Sequence, residues 1–263
     1  MVNIYKELIK NQERSVPLFN LFVLFLFLAS DLFSSPSTEL EKIFKNQSIT
    51  FIQIGSHEGN TINDPIFSLV NKYQWKGVLI EPIPYLFERL KMNYKNVSGV
   101  FFENEIISDS NEIVDFYYFD EEDVQSPGLP SWVSQLGSVN SAHAGVHLPG
   151  IEVKKFTKKC LTFQDIINKY RFNEVDLLHI DTEGHDVVIL QSINFDKIKP
   201  KVILFEHKHA DGVFVVGEKY KHCCDYLEKN GYALIYKNSE DTLMIQQNFL
   251  RRWNPARRRL VLE

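Results

Sequence analysis

Cysteine is scarce in this chain. Its 263 residues include three, Cys160 and the adjacent Cys223 and Cys224, and these give neither a metal-ligand spacing nor a disulfide framework. A reduced, intracellular setting is the expectation. Basic excess is also lacking: a formal net charge of −5 argues against a nonspecific nucleic-acid binder, which needs a phosphate-neutralising face. The local exception is the tail Arg251 to Arg259, RRWNPARRR, readable as a solvated terminus or as a contact for an acidic partner or membrane surface. No apolar run is long enough to cross a bilayer. The longest, Leu21 to Ala29 (LFVLFLFLA), follows Lys6, Lys10 and Arg14 and falls well short of the roughly 20 residues required. Three readings of it stay open: a cleaved signal or weak anchor, an amphipathic helix packed on the domain, or sequence upstream of the true domain. A cytoplasmic protein, with membrane contact through this segment as a further option, fits the cysteine usage. The G-x-G-x-x-G of a dinucleotide cradle is missing as well, which counts against a nicotinamide-dependent oxidoreductase. There is no internal repeat.

What is present is a large apolar fraction, 44% hydrophobic residues, ample for one core. The natural division is an N-terminal extension over 1–36 and one domain over 37–263. Ser34 to Thr38 reads as a linker and cap before a helix over Glu39 to Phe44. From residue 49 strand and helix patterns alternate: strands at 50–54, 77–81 and 98–102, helices at 61–73 and 83–94. Short βαβ connections make a parallel sheet covered on both faces, an α/β fold. Further strands are expected at 112–119 and 151–156, with an aperiodic stretch from Asp120 to Gly150 between them, read as a functional lid or an untidy insertion. The rhythm resumes with a helix at 162–170, a strand at 175–181, helices at 185–191 and 217–229, and a strand at 201–206. Two final strands, 232–236 and 242–246, are joined closely enough to be antiparallel.

The chemistry concentrates where strands end. In SITFIQIGSHEGN, Ser48 to Asn60, an apolar strand runs into Gly55, Ser56, Gly59 and Asn60. Gly55 permits a sharp turn and close approach of a ligand, and a helix from Thr61 is expected to aim its free N–H groups at the same place. Glu81, ending the next strand, can accept two hydrogen bonds from the vicinal hydroxyls of a ribose. Glycines at G-x-x-x-G favour a nucleoside without phosphates, and S-adenosyl-L-methionine is the natural candidate. Asn104 and Ser108 are placed to reach the adenine amine and ring nitrogen, or else act as ordinary turn formers. Asp181, Glu183 and His185 follow the strand at 175–181, and Glu206, His207 and His209 follow the strand at 201–206, all at one sheet edge.

These segments together resemble the FkbM family of S-adenosylmethionine-dependent methyltransferases: FIQIGSHEGN, then GVLIEP with Glu81, CLTFQDII from Cys160, VDLLHIDTEGHDVVIL from Val175, and VILFEH ending at His207. The similarity covers roughly 49–247, and the I-D-x-E-G of Ile180 to Gly184 is its most specific piece. The resemblance implies the class I methyltransferase fold, a Rossmann-like three-layer sandwich on a seven-stranded, mostly parallel sheet with an antiparallel last strand. It also implies O-methylation, often of sugar or polyketide hydroxyls, so the expected partner is a small-molecule or glycan acceptor. Gln53 and Ser56-His57 depart from the family's usual acidic residue and Ala-Asn. A catalytically silent nucleoside-binding or scaffold module is the rival reading that this departure motivates. On the main reading His185 or Glu183 removes the acceptor's proton, while Asp181 orients the sulfonium cofactor. A metal on Asp181, Glu206 and His207 is conceivable, but none is assigned. Trp132, His143 and His147 of the aperiodic stretch are expected near the acceptor.

Overall fold

The computed structural model describes residues 34–61, 63–126, 129–148 and 150–253. The apolar run Leu21 to Ala29 and the tail beyond Trp253 lie outside the described residues.

Seven strands form the central sheet: β1 (Thr50–Ile54), β2 (Lys76–Ile80), β3 (Val100–Glu103), β8 (Leu177–Ile180), β9 (Val202–Glu206), β10 (Tyr232–Lys237) and β11 (Asp241–Gln246). Their order is β10-β11-β9-β8-β1-β2-β3, with β11 antiparallel to both neighbours and the other pairings parallel. This is the mostly parallel sheet with an antiparallel last strand that the sequence predicts. Alternation along the strands fills both faces. Ile52, Ile54, Val78, Ile80, Leu178 and Ile180 point to one core, while Phe51, Leu79, Leu177, Val202 and Leu204 point to the other. Helices α6 (Phe163–Tyr170), α7 (Asp186–Ser192) and α8 (Glu218–Lys229) cover the first face. Helices α1 (Pro36–Phe44), α2 (Phe67–Tyr73), α3 (Pro84–Asn93) and α9 (Gln247–Trp253) cover the second. The result is a three-layer α/β sandwich.

Local signals explain most boundaries. Ser35 caps α1, accepting from the Thr38 N–H at 3.2 Å, with Pro36 in the first turn. Thr162 and Asp165 form a reciprocal capping box at α6. The strand foreseen at 151–156 runs from Lys154 to Lys159 and the helix foreseen from Glu39 begins at Pro36, but the largest displacement is that the helix foreseen from Thr61 begins at Phe67. Pro65 cannot sit inside a helix, and the Asp64 carboxylate takes the Ile66 and Phe67 N–H groups at 2.8 and 2.7 Å. Those N–H groups are therefore already satisfied and do not point free at a ligand.

The stretch between β3 and α6 is an excursion from the sheet. Here β5 (Ile113–Tyr118) and β6 (Lys154–Lys159) pair antiparallel as a separate ribbon, and β4 (Ile107–Ser108) pairs with β7 (Leu161–Thr162). The segment without clear periodicity holds helix α4 (Glu121–Val124), a 3-10 turn (Ser131–Gln135) and helix α5 (Ser141–His147). Its elements close on a small core of Phe119, Val133 and Leu136, so it is folded rather than a free loop.

Candidate active site

A cleft of about 400 Å³ opens at the carboxyl ends of β1, β2, β8 and β9, where open α/β sheets bind ligands. The β1 turn builds its floor. Gly55 has φ +80, and a Cβ there would lie 1.7 Å from the Asp181 carbonyl oxygen, so only glycine lets β1 and β8 close at this level. Ser56 turns its hydroxyl into the sheet, donating to Gln53 O (3.3 Å) and accepting from Ile80 N (3.0 Å). His57, at φ +48, donates its backbone N–H to Glu81 Oε2 at 2.8 Å and meets Ser134 Oγ through Nε2 at 2.9 Å. The unusual Ser56-His57 pair thus has two jobs: Ser56 ties β1 to β2, and His57 ties the turn to the insertion over it.

Glu81 is 4% exposed and lines the cleft. Its Oε1 accepts the Ile83 N–H at 2.8 Å, which leaves a further lone pair on each oxygen. Burial pushes its pKa up to about 7, against which the two backbone N–H groups pull. Ile83, Ile106, Ile107 and Phe116 supply apolar lining in the same cleft.

Asp181, Glu183, His185 and Glu206 also line the cleft, as the sequence predicts. Burial, with Glu183 and Asp186 near by, raises the pKa of Asp181 well above the carboxylate range. Glu183 is different: burial opposes its ionisation, yet the hydrogen bond from His143 and the charge of Lys208 hold it below its ordinary value. His143 and His209 approach Glu183 Oε2 through Nε2 at 3.0 and 3.4 Å. His185 precedes α7 and meets Ser108 Oγ through Nε2 at 2.9 Å, while that hydroxyl donates to Asp109 Oδ1 at 3.1 Å. Burial lowers the His185 pKa, so the neutral ring prevails at neutral pH. Since Ser108 spends its proton on Asp109, His185 donates from Nε2, which leaves Nδ1 as an acceptor.

Other expected residues are placed elsewhere. Gly59, Asn60, Asn104 and Ser108 are outside the lining. Gly59 packs on helix α3, where a Cβ would meet the Tyr94 ring at 2.5 Å. Asn104 spends its amide on the Glu81 and Pro82 carbonyls at 2.8 and 2.9 Å, bracing the end of β2. His207 does not join Glu206. Consecutive strand residues face opposite ways, and His207 bonds Thr242 at 3.0 Å and packs on Tyr220 of α8. The metal set Asp181, Glu206, His207 is therefore not assembled. Of the acceptor residues expected in the insertion, His143 reaches the site through Glu183, Trp132 is 42% exposed, and the His147 side chain lies outside the described residues.

Sequence reasoning missed Asp64, Asp186, His179 and Lys208. Asp64 lines the cleft and accepts from Gln53 Nε2 at 3.0 Å, giving the Gln53 position a half-buried carboxylate partner after all; its proximity to Pro65 was the available signal. Asp186 is fully buried and accepts the Thr182 N–H and hydroxyl at 3.2 and 2.7 Å, closing the junction after β8 as a cap does. His179 shares a sheet face with Asp181, and burial drives its pKa down to about 3.

Comparison with known proteins gives a match to the model of the methyltransferase FkbM domain over residues 53–234. No curated protein matches the sequence. Similar solved structures include a precorrin-6y C5,15-methyltransferase from Geobacter metallireducens (11% identity, 80% of this chain and 85% of that one, TM-score 0.41). Two more are the Aeropyrum pernix fibrillarin with natively bound S-adenosyl-L-methionine (11%, 83% and 74%, 0.40) and a methyltransferase from Geobacter sulfurreducens (9%, 94% and 96%, 0.40).

Proposed function

The chain belongs to the FkbM methyltransferase family, and from that premise we propose that this S-adenosylmethionine-dependent enzyme methylates a hydroxyl group of a sugar, glycan or small hydroxylated metabolite. The cleft fits the cofactor by the chemistry of its donors: a buried carboxylate with spare lone pairs at the end of β2, beside apolar isoleucines suited to an adenine ring. Glu81 would hold the ribose hydroxyls, the Gly55 to His57 turn would pass beneath the nucleoside, and Asp181 would face the cationic end. The cofactor supplies an activated methyl group on sulfonium. What the protein must add is alignment, exclusion of water and removal of the hydroxyl proton.

The observation that carries the oxygen acceptor is the chain His185, Ser108, Asp109, which fixes a neutral imidazole with Nδ1 free to take a proton. An alcohol needs such a base, because its oxygen must shed a proton as it gains the methyl group. The carboxylates of Asp181, Glu183 and Glu206 in the cleft wall supply acceptors for the further hydroxyls of a polyol. The insertion, whose Ser134, Gln135, Gly137 and Val139 line the same cleft, covers the reacting atoms from solvent. No helix among the described residues is long and apolar enough to cross a membrane. We place the enzyme in the cytoplasm and treat residues 37–263 as its catalytic domain.

Labelled S-adenosylmethionine incubated with panels of glycans, polyols and hydroxylated metabolites tests the proposal. Label should appear in a base-stable ether. Transfer confined to amines, thiols or carboxylates would overturn the assignment.

A further inference from the structure

Among the described residues, Asp181, Glu183 and Glu206 each offer a carboxylate oxygen lying within 4.8 Å of those of the other two, and all three line the cleft. Glu206 is 4% exposed. Its Oε1 pairs with Lys208 Nζ at 2.7 Å, but its Oε2 is buried with no hydrogen-bond partner among the described residues. A buried carboxylate oxygen with no donor is costly. With all three groups ionised, Lys208, which Glu240 shares at 3.3 Å, cannot neutralise them, and the cluster keeps a net negative charge that a bound cation would offset.

The backbone reinforces this arrangement. Glu183 has φ +53 and Gly184 φ +98, a left-handed pair that a glutamate enters only with strain. Gly184 lies against His209, whose backbone oxygen a Cβ would approach to 3.0 Å. The histidines orient the cluster. His209 accepts the Phe214 N–H at Nδ1, 3.0 Å away, so its proton resides on Nε2, the atom that faces Glu183 at 3.4 Å. In that tautomer His209 donates to the carboxylate and cannot ligate a metal through the same nitrogen. The set His143, Glu183, His209, which also comes within ligating distance, is thereby disfavoured, and the oxygen-only set stands.

We propose that Asp181, Glu183 and Glu206 bind a hard divalent cation, magnesium or manganese, in the wall of the cleft. Three carboxylates without sulfur or imidazole suit ions of that class. His209 and His143 then serve as the hydrogen-bonding shell that fixes a ligating carboxylate. On the methyl-transfer reading, on which this part alone rests, the ion's remaining positions face the cleft and hold an acceptor oxygen beside the base.

The test uses metal-stripped full-length protein titrated with Mn²⁺ in the absence of cofactor, free ion being read by electron paramagnetic resonance and Mg²⁺ added as competitor. One competable Mn²⁺ per chain is expected, with affinity reduced at least about tenfold in Glu206→Gln and in Glu183→Gln. Binding of S-adenosylhomocysteine to the same variants reports that they are folded. No Mn²⁺ binding at millimolar ion by wild-type protein, or equal binding by folded variants, overturns the site. Mn²⁺ binding by a protein that fails to bind S-adenosylhomocysteine supports the site and removes the methyl-transfer reading instead.

Discussion

Glu81→Gln at two pH values is the most informative perturbation of the cofactor half of the cleft. Burial raises the Glu81 pKa from its ordinary 4.5 to about 7, so the empty site is mainly protonated at pH 6 and ionised at pH 8. Ribose hydroxyls donate hydrogen bonds and therefore favour the carboxylate. Below pH 7 binding must first ionise Glu81, at a cost that approaches about 1.36 kcal/mol for each pH unit, and the wild-type dissociation constant should weaken about fivefold from pH 7 to pH 6. Glutamine has no such dependence. At pH 8 the substitution should cost about 1 to 3 kcal/mol in binding, roughly 5- to 150-fold, and at pH 6 the gap should narrow.

Stability moves in its own direction. A carboxyl whose folded pKa lies above its unfolded value contributes stability that is present below about pH 4.5 and is lost as pH rises through 7. Over that interval of 2.5 units the loss is on the order of 3 kcal/mol. Glutamine escapes this loss, but it leaves one of the His57 and Ile83 N–H groups without its oxygen, about 1 to 3 kcal/mol. The variant's deficit in melting temperature should therefore shrink from pH 5 to pH 8. Calorimetric titration with S-adenosylhomocysteine and thermal melts measure both. Wild-type affinity flat from pH 6 to 8, together with a Glu81→Gln affinity within twofold of wild type, would refute the reasoning.

Three further outcomes follow from named contacts. His185→Ala should reduce turnover about 10²- to 10⁴-fold with cofactor affinity within twofold, and Ser108→Ala should lower turnover less, by freeing the ring to rotate; initial rates with labelled cofactor check both. Gly55→Ala forces a Cβ to 1.7 Å from the Asp181 carbonyl at φ +80 and should cost more than about 3 kcal/mol in urea unfolding, whereas a loss under 1 kcal/mol would mean that the β1 and β8 ends are not held this close. His57→Asn keeps a residue tolerant of positive φ but removes the contact to Ser134. Limited proteolysis should then cut the insertion faster, and an unchanged rate would show that His57 does not anchor it.

The sheet was legible because its strands are buried on both faces and read as short apolar runs bounded by glycines and polar residues, as in 50–54 and 202–206. The hairpin length before residue 242 gave the antiparallel last strand. Helix α2 was misjudged by six residues because apolar periodicity outweighed Pro65, the one residue that forbids helix there. Half of the site was readable for a related reason: Glu81, Asp181 and Glu206 close apolar strands, and strand ends define the cleft. Roles that depend on side-chain direction were harder. Asn104 and Ser56 stand near the cofactor's expected place in sequence, yet both turn their polar atoms to neighbouring backbone. Simple alternation would have separated Glu206 from His207. His143 and His209 meet at Glu183 only because the insertion folds over the sheet edge, a long-range contact that no local pattern encodes.

A crystal structure with S-adenosylhomocysteine tests the central claim most directly. The account predicts the nucleoside in this cleft, both ribose hydroxyls within hydrogen-bond distance of the Glu81 carboxylate, adenine against Ile106 and Ile107, and the sulfur on the side of Asp181. A nucleoside bound elsewhere, or seated here with Glu81 out of reach of the ribose, would contradict it.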